Sequence, residues 1–177
     1  MRASVFMFII CLLLQLACSR PPANTPVSQG SASSSPAKLA GATSVNFVTA
    51  RVVKVEVRVG ESIESEVIIN VKPGYHVNAN PATDAYLKAT EVVPQPPNGF
   101  TVGYVKYPNA LHKKFAFSDK ELAVYEGDVP VRVMFKVNKS ATKGDHAIPA
   151  KLNIQACDNE VCYAPGTLEL SIPILVN

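Results

Sequence analysis

Cys157 and Cys162 are the residues of this chain with the clearest capacity for chemistry. Asp158-Asn159-Glu160-Val161 separates them. Such a spacing suits a tight turn whose ends approach the roughly 5.5–6 Å Cα separation of a disulfide. In an oxidising compartment two such cysteines can pair. A disulfide here has two readings. As a staple it closes a loop of about six residues, which removes only about 2 kcal/mol of unfolded-state entropy. As a redox site it exchanges with a partner's thiol. Asp158 and Glu160 stand between the cysteines, and nearby anions disfavour a thiolate. The pair is therefore expected to be attacked by a partner's thiolate rather than to act as a self-activated nucleophile.

Other chemistries find less support. His76, His112 and His146 are in principle able to join the cysteines around zinc, but none lies within ten residues of the pair. A C-x4-C pair also lacks the second ligand pair of a zinc module. The histidines read as surface or loop residues, and no metal or cofactor is expected. Copper handling favours a Met-rich surface, whereas Met134 is the one Met after the leader. No Ser-His-Asp spacing or paired carboxylates indicate a hydrolase. The formal charge is +3 without a long Lys/Arg run, so no nucleic-acid partner is expected. No Walker-type or GxGxxG loop is present, so nucleotide chemistry has no support.

The compartment follows from the first residues. Arg2 precedes an uncharged apolar run, residues 4–14, that is too short to cross a bilayer of about 30 Å. This pattern predicts a signal peptide over 1–18. Leu16-Ala17-Cys18 resembles the end of a bacterial lipobox, which makes Cys18 the expected lipidated residue, although Gln15 departs from the pattern. Plain cleavage into the periplasm is the alternative. Residues 19–44 follow, and Pro, Ser, Gly and Ala supply 18 of these 26. Such a segment buries too little apolar surface to offset its ordering entropy. It reads as a disordered tether between a membrane anchor and a domain over 45–177. That remainder, 133 residues, has a common single-domain size.

The domain has an apolar period of two. Val53, Val55, Val57 and Val59 alternate with Lys54, Glu56 and Arg58; Val129, Val131, Val133, Phe135 and Val137 alternate with Pro130, Arg132, Met134 and Lys136. Similar runs occupy 64–71, 100–107, 148–155 and 167–175, separated by turn formers such as Pro73-Gly74 and Glu126-Gly127-Asp128. Seven or eight short strands at this spacing predict an all-β, immunoglobulin-like antiparallel β-sandwich, with a β-barrel as the alternative. Two stretches, 74–87 and 107–117, are rich in aromatic, Asn and Pro residues and read as long functional loops.

These pieces occur in a telling order: Pro73-Gly74-Tyr75-His76-Val77-Asn78-Ala79-Asn80-Pro81, Tyr107-Pro108, Phe115-Ala116-Phe117, Val124-Tyr125-Glu126-Gly127, and Gln155-Ala156-Cys157 through Cys162-Tyr163-Ala164-Pro165. Together they resemble the N-terminal periplasmic domain of the thiol:disulfide interchange protein DsbD, over about residues 47–175. The resemblance implies that Cys157 and Cys162 carry electrons from a thioredoxin-like or DsbD-type membrane donor to periplasmic thiol proteins. It implies an aromatic cap loop over the disulfide, with Phe115 and Phe117 as cap residues and Tyr107 behind them. Tyr163, next to the second cysteine, is expected to wall the site. The cysteine spacing is one residue shorter than in the best-known enterobacterial members. The sequence contains no multi-span conduit and no C-x-x-C, so a separate reductant is expected. The competing reading is a non-enzymatic immunoglobulin-like binding or structural lipoprotein domain with a stapling disulfide.

Overall fold

The computed structural model describes residues 42–177. The predicted leader, Cys18 and the tether up to residue 41 lie outside the described residues. A single 3-10 turn, Ser44–Phe47, opens the fold. Strands follow in the order β1 (Val48–Val52), β2 (Val55–Val57), β3 (Ser62–Val71), β4 (His76–Asn78), β5 (Glu91–Pro94) and β6 (Phe100–Lys106). The rest are β7 (Leu111–Lys113), β8 (Leu122–Tyr125), β9 (Asp128–Val137), β10 (Gly144–Ile154), β11 (Ala156–Cys157) and β12 (Gly166–Val176).

Two larger sheets form an immunoglobulin-like sandwich. One has the order β1-β3-β9-β6, the other β2-β12-β10-β5. All neighbours are antiparallel except β2 and β12, which run parallel. The two-residue alternation sets the register of the core. Val67 lies opposite Val131, and Ile69 opposite Val129, and all four side chains are buried. From the facing sheet Ile148, Ala150, Leu152 and Ile154 join Ile172 and Ile174 in the same core. Fully burying one such aliphatic side chain contributes about 1.5–3 kcal/mol. That matches the whole entropic gain expected from the short cysteine loop, so the sandwich does not depend on that disulfide for its core.

Of the alternating run from Val53 to Val59, only Val55–Val57 forms a strand, β2, and β1 precedes the run. β1 belongs to one sheet and β2 to the other. The chain crosses between them at Val53 and Lys54, and Val53 stays exposed despite its place in the alternating run. Alternation alone does not show where a strand changes sheets at a sandwich corner.

A third, smaller sheet, β11-β4-β8-β7, stands beside the sandwich. Its strands are two to four residues long. Ala156, Val77 and Tyr125 lie in one cross-strand row and enter the main core. By the period of two, their neighbours Cys157, His76 and Val124 face the other way. A separate cluster of Leu87, Phe115, Leu122 and Val124 forms on that outer side. Gly74 (φ 85°) and Gly127 (φ 62°) supply the left-handed turns beside β4 and β8.

Candidate thiol–disulfide site

Cys157 ends β11, and the chain reverses immediately. Asp158 N–H donates to the Val161 carbonyl at 2.9 Å, and Tyr163 N–H to the Ala156 carbonyl at 2.9 Å. The Asp158 side chain closes the reversal: its Oδ1 accepts from the Glu160 and Val161 N–H groups, both at 2.8 Å. Asp is suited to this because its carboxylate can reach the backbone two residues on. Cys157 and Cys162 thus become directly opposed residues of a small hairpin. Their sulfurs form a disulfide, with Cα atoms 3.9 Å apart. This is closer than the spacing suggests, because opposed residues in a pair without mutual backbone hydrogen bonds approach more closely than loop ends do.

Burial of the two cysteines is unequal. Cys157 is fully buried, whereas Cys162 is partly exposed. The hairpin itself is held from behind. Ser44 Oγ donates to the Ala164 carbonyl at 2.6 Å and accepts from Ala156 N–H at 2.9 Å. Phe47 stacks on Tyr75 with centroids 4.0 Å apart and meets Tyr163 at 4.5 Å.

Tyr163 therefore sits on the opposite side of the hairpin from the cysteines, one residue out of phase with Cys162. Its hydroxyl donates to Asp158 Oδ2 at 2.7 Å. This hydrogen bond holds the phenol well above its ordinary pKa. Tyr163 braces the turn rather than roofing the sulfurs.

Over the outer face lies the segment linking β7 to β8. Phe115 is buried and stacks on the His76 ring, with centroids 4.1 Å apart and planes 19° from parallel. Phe117 stacks on Phe115 at 5.4 Å and stays 39% exposed. An ion pair from Lys120 Nζ to Asp84 Oδ1, 2.6 Å, ties this segment to the loop carrying Leu87. Thr83 Oγ1 accepts from Ala123 N–H at 2.7 Å. Tyr107 stands elsewhere. It packs against the main core, and its hydroxyl accepts from Val92 N–H at 2.8 Å. Burial raises its phenol pKa. The structure brings Phe115 and Phe117 together and leaves Tyr107 out of their stack.

His76 is the residue that sequence reasoning missed. His112 is exposed as expected, and His146 is half-buried against Phe100. His76, however, is only 1% exposed and lies directly opposite Cys157 across β4 and β11. Burial pushes its imidazole below the ordinary value, and Lys113 adds to this, while Glu126 and Asp158 oppose it. Its Nε2 has no hydrogen-bond partner among the described residues. The signal was present in Tyr75-His76-Val77-Asn78: its alternation sends Tyr75 and Val77 to one face and His76 and Asn78 to the other.

The profile of the family described as "Thiol:disulfide interchange protein DsbD, N-terminal" matches residues 45–172. The chain belongs to this family. Family membership and the disulfide together support a thiol–disulfide interchange role. Among solved structures, the Neisseria meningitidis DsbD N-terminal domain in the reduced form is similar at 17% identity and a TM-score of 0.46, covering 71% of this chain and 83% of that one. A type I cohesin from Pseudobacteroides cellulosolvens is similar at 13% identity and a TM-score of 0.42, covering 74% and 92%. A cohesin–dockerin complex from Clostridium thermocellum gives 16% and 0.42, covering 75% and 100%. A search of curated protein sequences returned no match. For a DsbD N-terminal domain, the geometry above separates the sulfurs by access: one buried beside His76, the other at the rim. Among the described residues no helix is long and apolar enough to cross a membrane.

Proposed function

We propose that the chain relays electrons by thiol–disulfide exchange at Cys157 and Cys162. It takes them from a thioredoxin-like or DsbD-type membrane donor and passes them to exported proteins in the periplasm. The carrying observation is the unequal burial of the two cysteines on a capped outer face. A donor thiolate attacks the accessible Cys162 sulfur, the Cys157–Cys162 bond breaks, and Cys157 leaves as a thiolate that takes up a proton. The donor's second thiol then attacks the mixed disulfide. The donor ends as a disulfide and the domain as a dithiol, two electrons richer. Delivery to an oxidised partner runs the same steps in reverse. Phe115 and Phe117 serve as the cap that slows exchange with stray small thiols.

Mixing the oxidised protein with a reduced thioredoxin-like protein tests this reading. Free thiols are expected at both Cys157 and Cys162. A disulfide that persists against a molar excess of such a donor would sink it.

The relay sits at the end of a tether on a lipidated Cys18. The support is the leader pattern, Leu16-Ala17-Cys18 and the Pro/Ser/Ala-rich segment that follows. One acyl chain alone binds membranes only marginally, so the multiple acylation of a bacterial lipoprotein cysteine is the relevant anchor. Cys18→Ala is expected to shift the protein from the membrane pellet to the soluble fraction. Unchanged sedimentation would contradict the anchor.

A further inference from the structure

His76 is a buried polar side chain without an evident structural use. Its ring is 1% exposed, and Nε2 meets no hydrogen-bonding group among the described residues. A buried polar atom left unpaired costs about 1–3 kcal/mol. An aromatic hydrocarbon in the same slot would stack on Phe115 without that cost. Such orphaned atoms call for an explanation, and a redox or catalytic role is among the recognised ones.

Its position supplies one. His76 and Cys157 are direct cross-strand partners. Residues so placed hold their Cβ atoms about 4.5–5.5 Å apart on one face. In the disulfide, Cys157 Sγ carries no proton and offers the ring nothing to accept. In the dithiol it carries an S–H. We propose that His76 is the proton acceptor for Cys157 when the domain delivers its electrons, and that Nε2 lacks a partner in the oxidised form because its partner is the Cys157 thiol. This inference rests on the exchange reading above.

The step balances as follows. Cys162 thiolate attacks an oxidised partner, one partner sulfur leaves as a thiolate, and a mixed disulfide forms. Cys157 then gives its proton to His76 Nε2. Cys157 Sγ attacks Cys162 Sγ, the Cys162–partner bond breaks, and the second partner sulfur departs with the electron pair. The proton on His76 passes to that sulfur or to solvent. Two electrons move from the domain's dithiol to the partner's disulfide.

The surroundings suit this task. A neutral imidazole is a base, and burial favours the neutral ring. Once protonated, the ring is favoured by Glu126 at the end of β8, by Asp158 in the cysteine turn and by the new Cys157 thiolate; Lys113 on β7 opposes it. Lys113 Nζ is itself paired with Glu126 Oε2 at 2.5 Å, which tempers both. Phe115 covers the ring and keeps water from competing for the proton.

The full chain offers two tests. In the unmodified protein, the His76 ring can be titrated by nitrogen–proton NMR in the oxidised form and again after phosphine reduction. Its midpoint is expected below about 6.5 when oxidised and lower still when reduced, since accepting the Cys157 S–H proton favours the neutral ring. Equal midpoints in the two forms would overturn the proposal. The second test mixes reduced protein with oxidised glutathione and follows closure of the mixed disulfide by acid quench and mass spectrometry. His76→Gln and His76→Asn are expected to close about tenfold more slowly at pH 6, with a rate that climbs towards an ordinary thiol value of about 8.5. His112→Gln, on the exposed β7 edge, is the control expected to follow the unsubstituted protein. Closure profiles of the His76 variants that overlay the unsubstituted one would also overturn the proposal. Failure of the exchange reading looks different: the protein would resist its donor, while the His76 titration of phosphine-reduced protein would still report on the proton.

Discussion

Cys157→Ser is expected to lock the protein onto its partners, whereas Cys162→Ser abolishes exchange outright. The difference follows from the hairpin. Cys162 is partly exposed at the rim, and Cys157 is fully buried beside His76. A partner sulfur must approach in line with the S–S bond, so attack is expected at the more accessible residue, Cys162. With Cys157 replaced, Cys162 still attacks a disulfide, but no neighbouring thiol resolves the product. A covalent complex should therefore accumulate, visible on a non-reducing gel and released by dithiothreitol. With Cys162 replaced, the remaining thiol is shielded, and no complex is expected. Equal trapping by both variants would show that access does not distinguish the sulfurs.

The second large effect is expected at Phe115. Phe115→Ala removes the ring stacked on His76 and the main filler of the Leu87, Leu122 and Val124 cluster. Phe→Ala changes in a core cost about 3–5 kcal/mol. This cluster is small and close to solvent, so the lower end is expected. More telling is the effect on the disulfide. Uncovering His76 opens a path to the buried sulfur beside it, and reduction by a small thiol such as dithiothreitol should speed up about tenfold. Leu87→Ala separates the two effects. It empties the same cluster without touching the His76 ring stack, so it should lose stability with little gain in reduction rate. Equal acceleration in both variants would mean that the cluster, not the phenyl cap, protects the bond.

Much of this arrangement can be read from the amino-acid sequence, and the boundaries of that reading have physical causes. Period-two alternation marks β3, β9, β10 and β12 because each is long and faces the core on one side only. The same rule misplaces Val53, since a period carries no information about which sheet a strand joins. The small sheet is nearly invisible to it: strands of two or three residues, such as β4 and β11, are too short to show a period. Yet that sheet carries Cys157 and His76. The cysteines stand out by residue type, and Phe115 and Phe117 by their ordered place in the family pattern. Tyr163, expected to wall the site, instead braces the cysteine turn against Phe47, because one residue along a strand is the opposite side. The position of His76 is hidden in the sequence for a related reason. Its partner, Cys157, is 81 residues away, and only the β4–β11 register brings the two together.

Thiol–disulfide interchange, the role that family membership supports, requires the Cys157–Cys162 bond to be exchangeable. A stapling disulfide would contribute little here, because the sandwich core already excludes water without it. The central claim is thus a statement about the Cys157–Cys162 bond itself. Its reduction potential, obtained by equilibrating the domain against a graded dithiol buffer and counting free thiols, tests that claim most directly. A value above about −300 mV is expected, within reach of thioredoxin-like donors near −270 mV. A value well below about −300 mV would mark a structural bond and contradict the account.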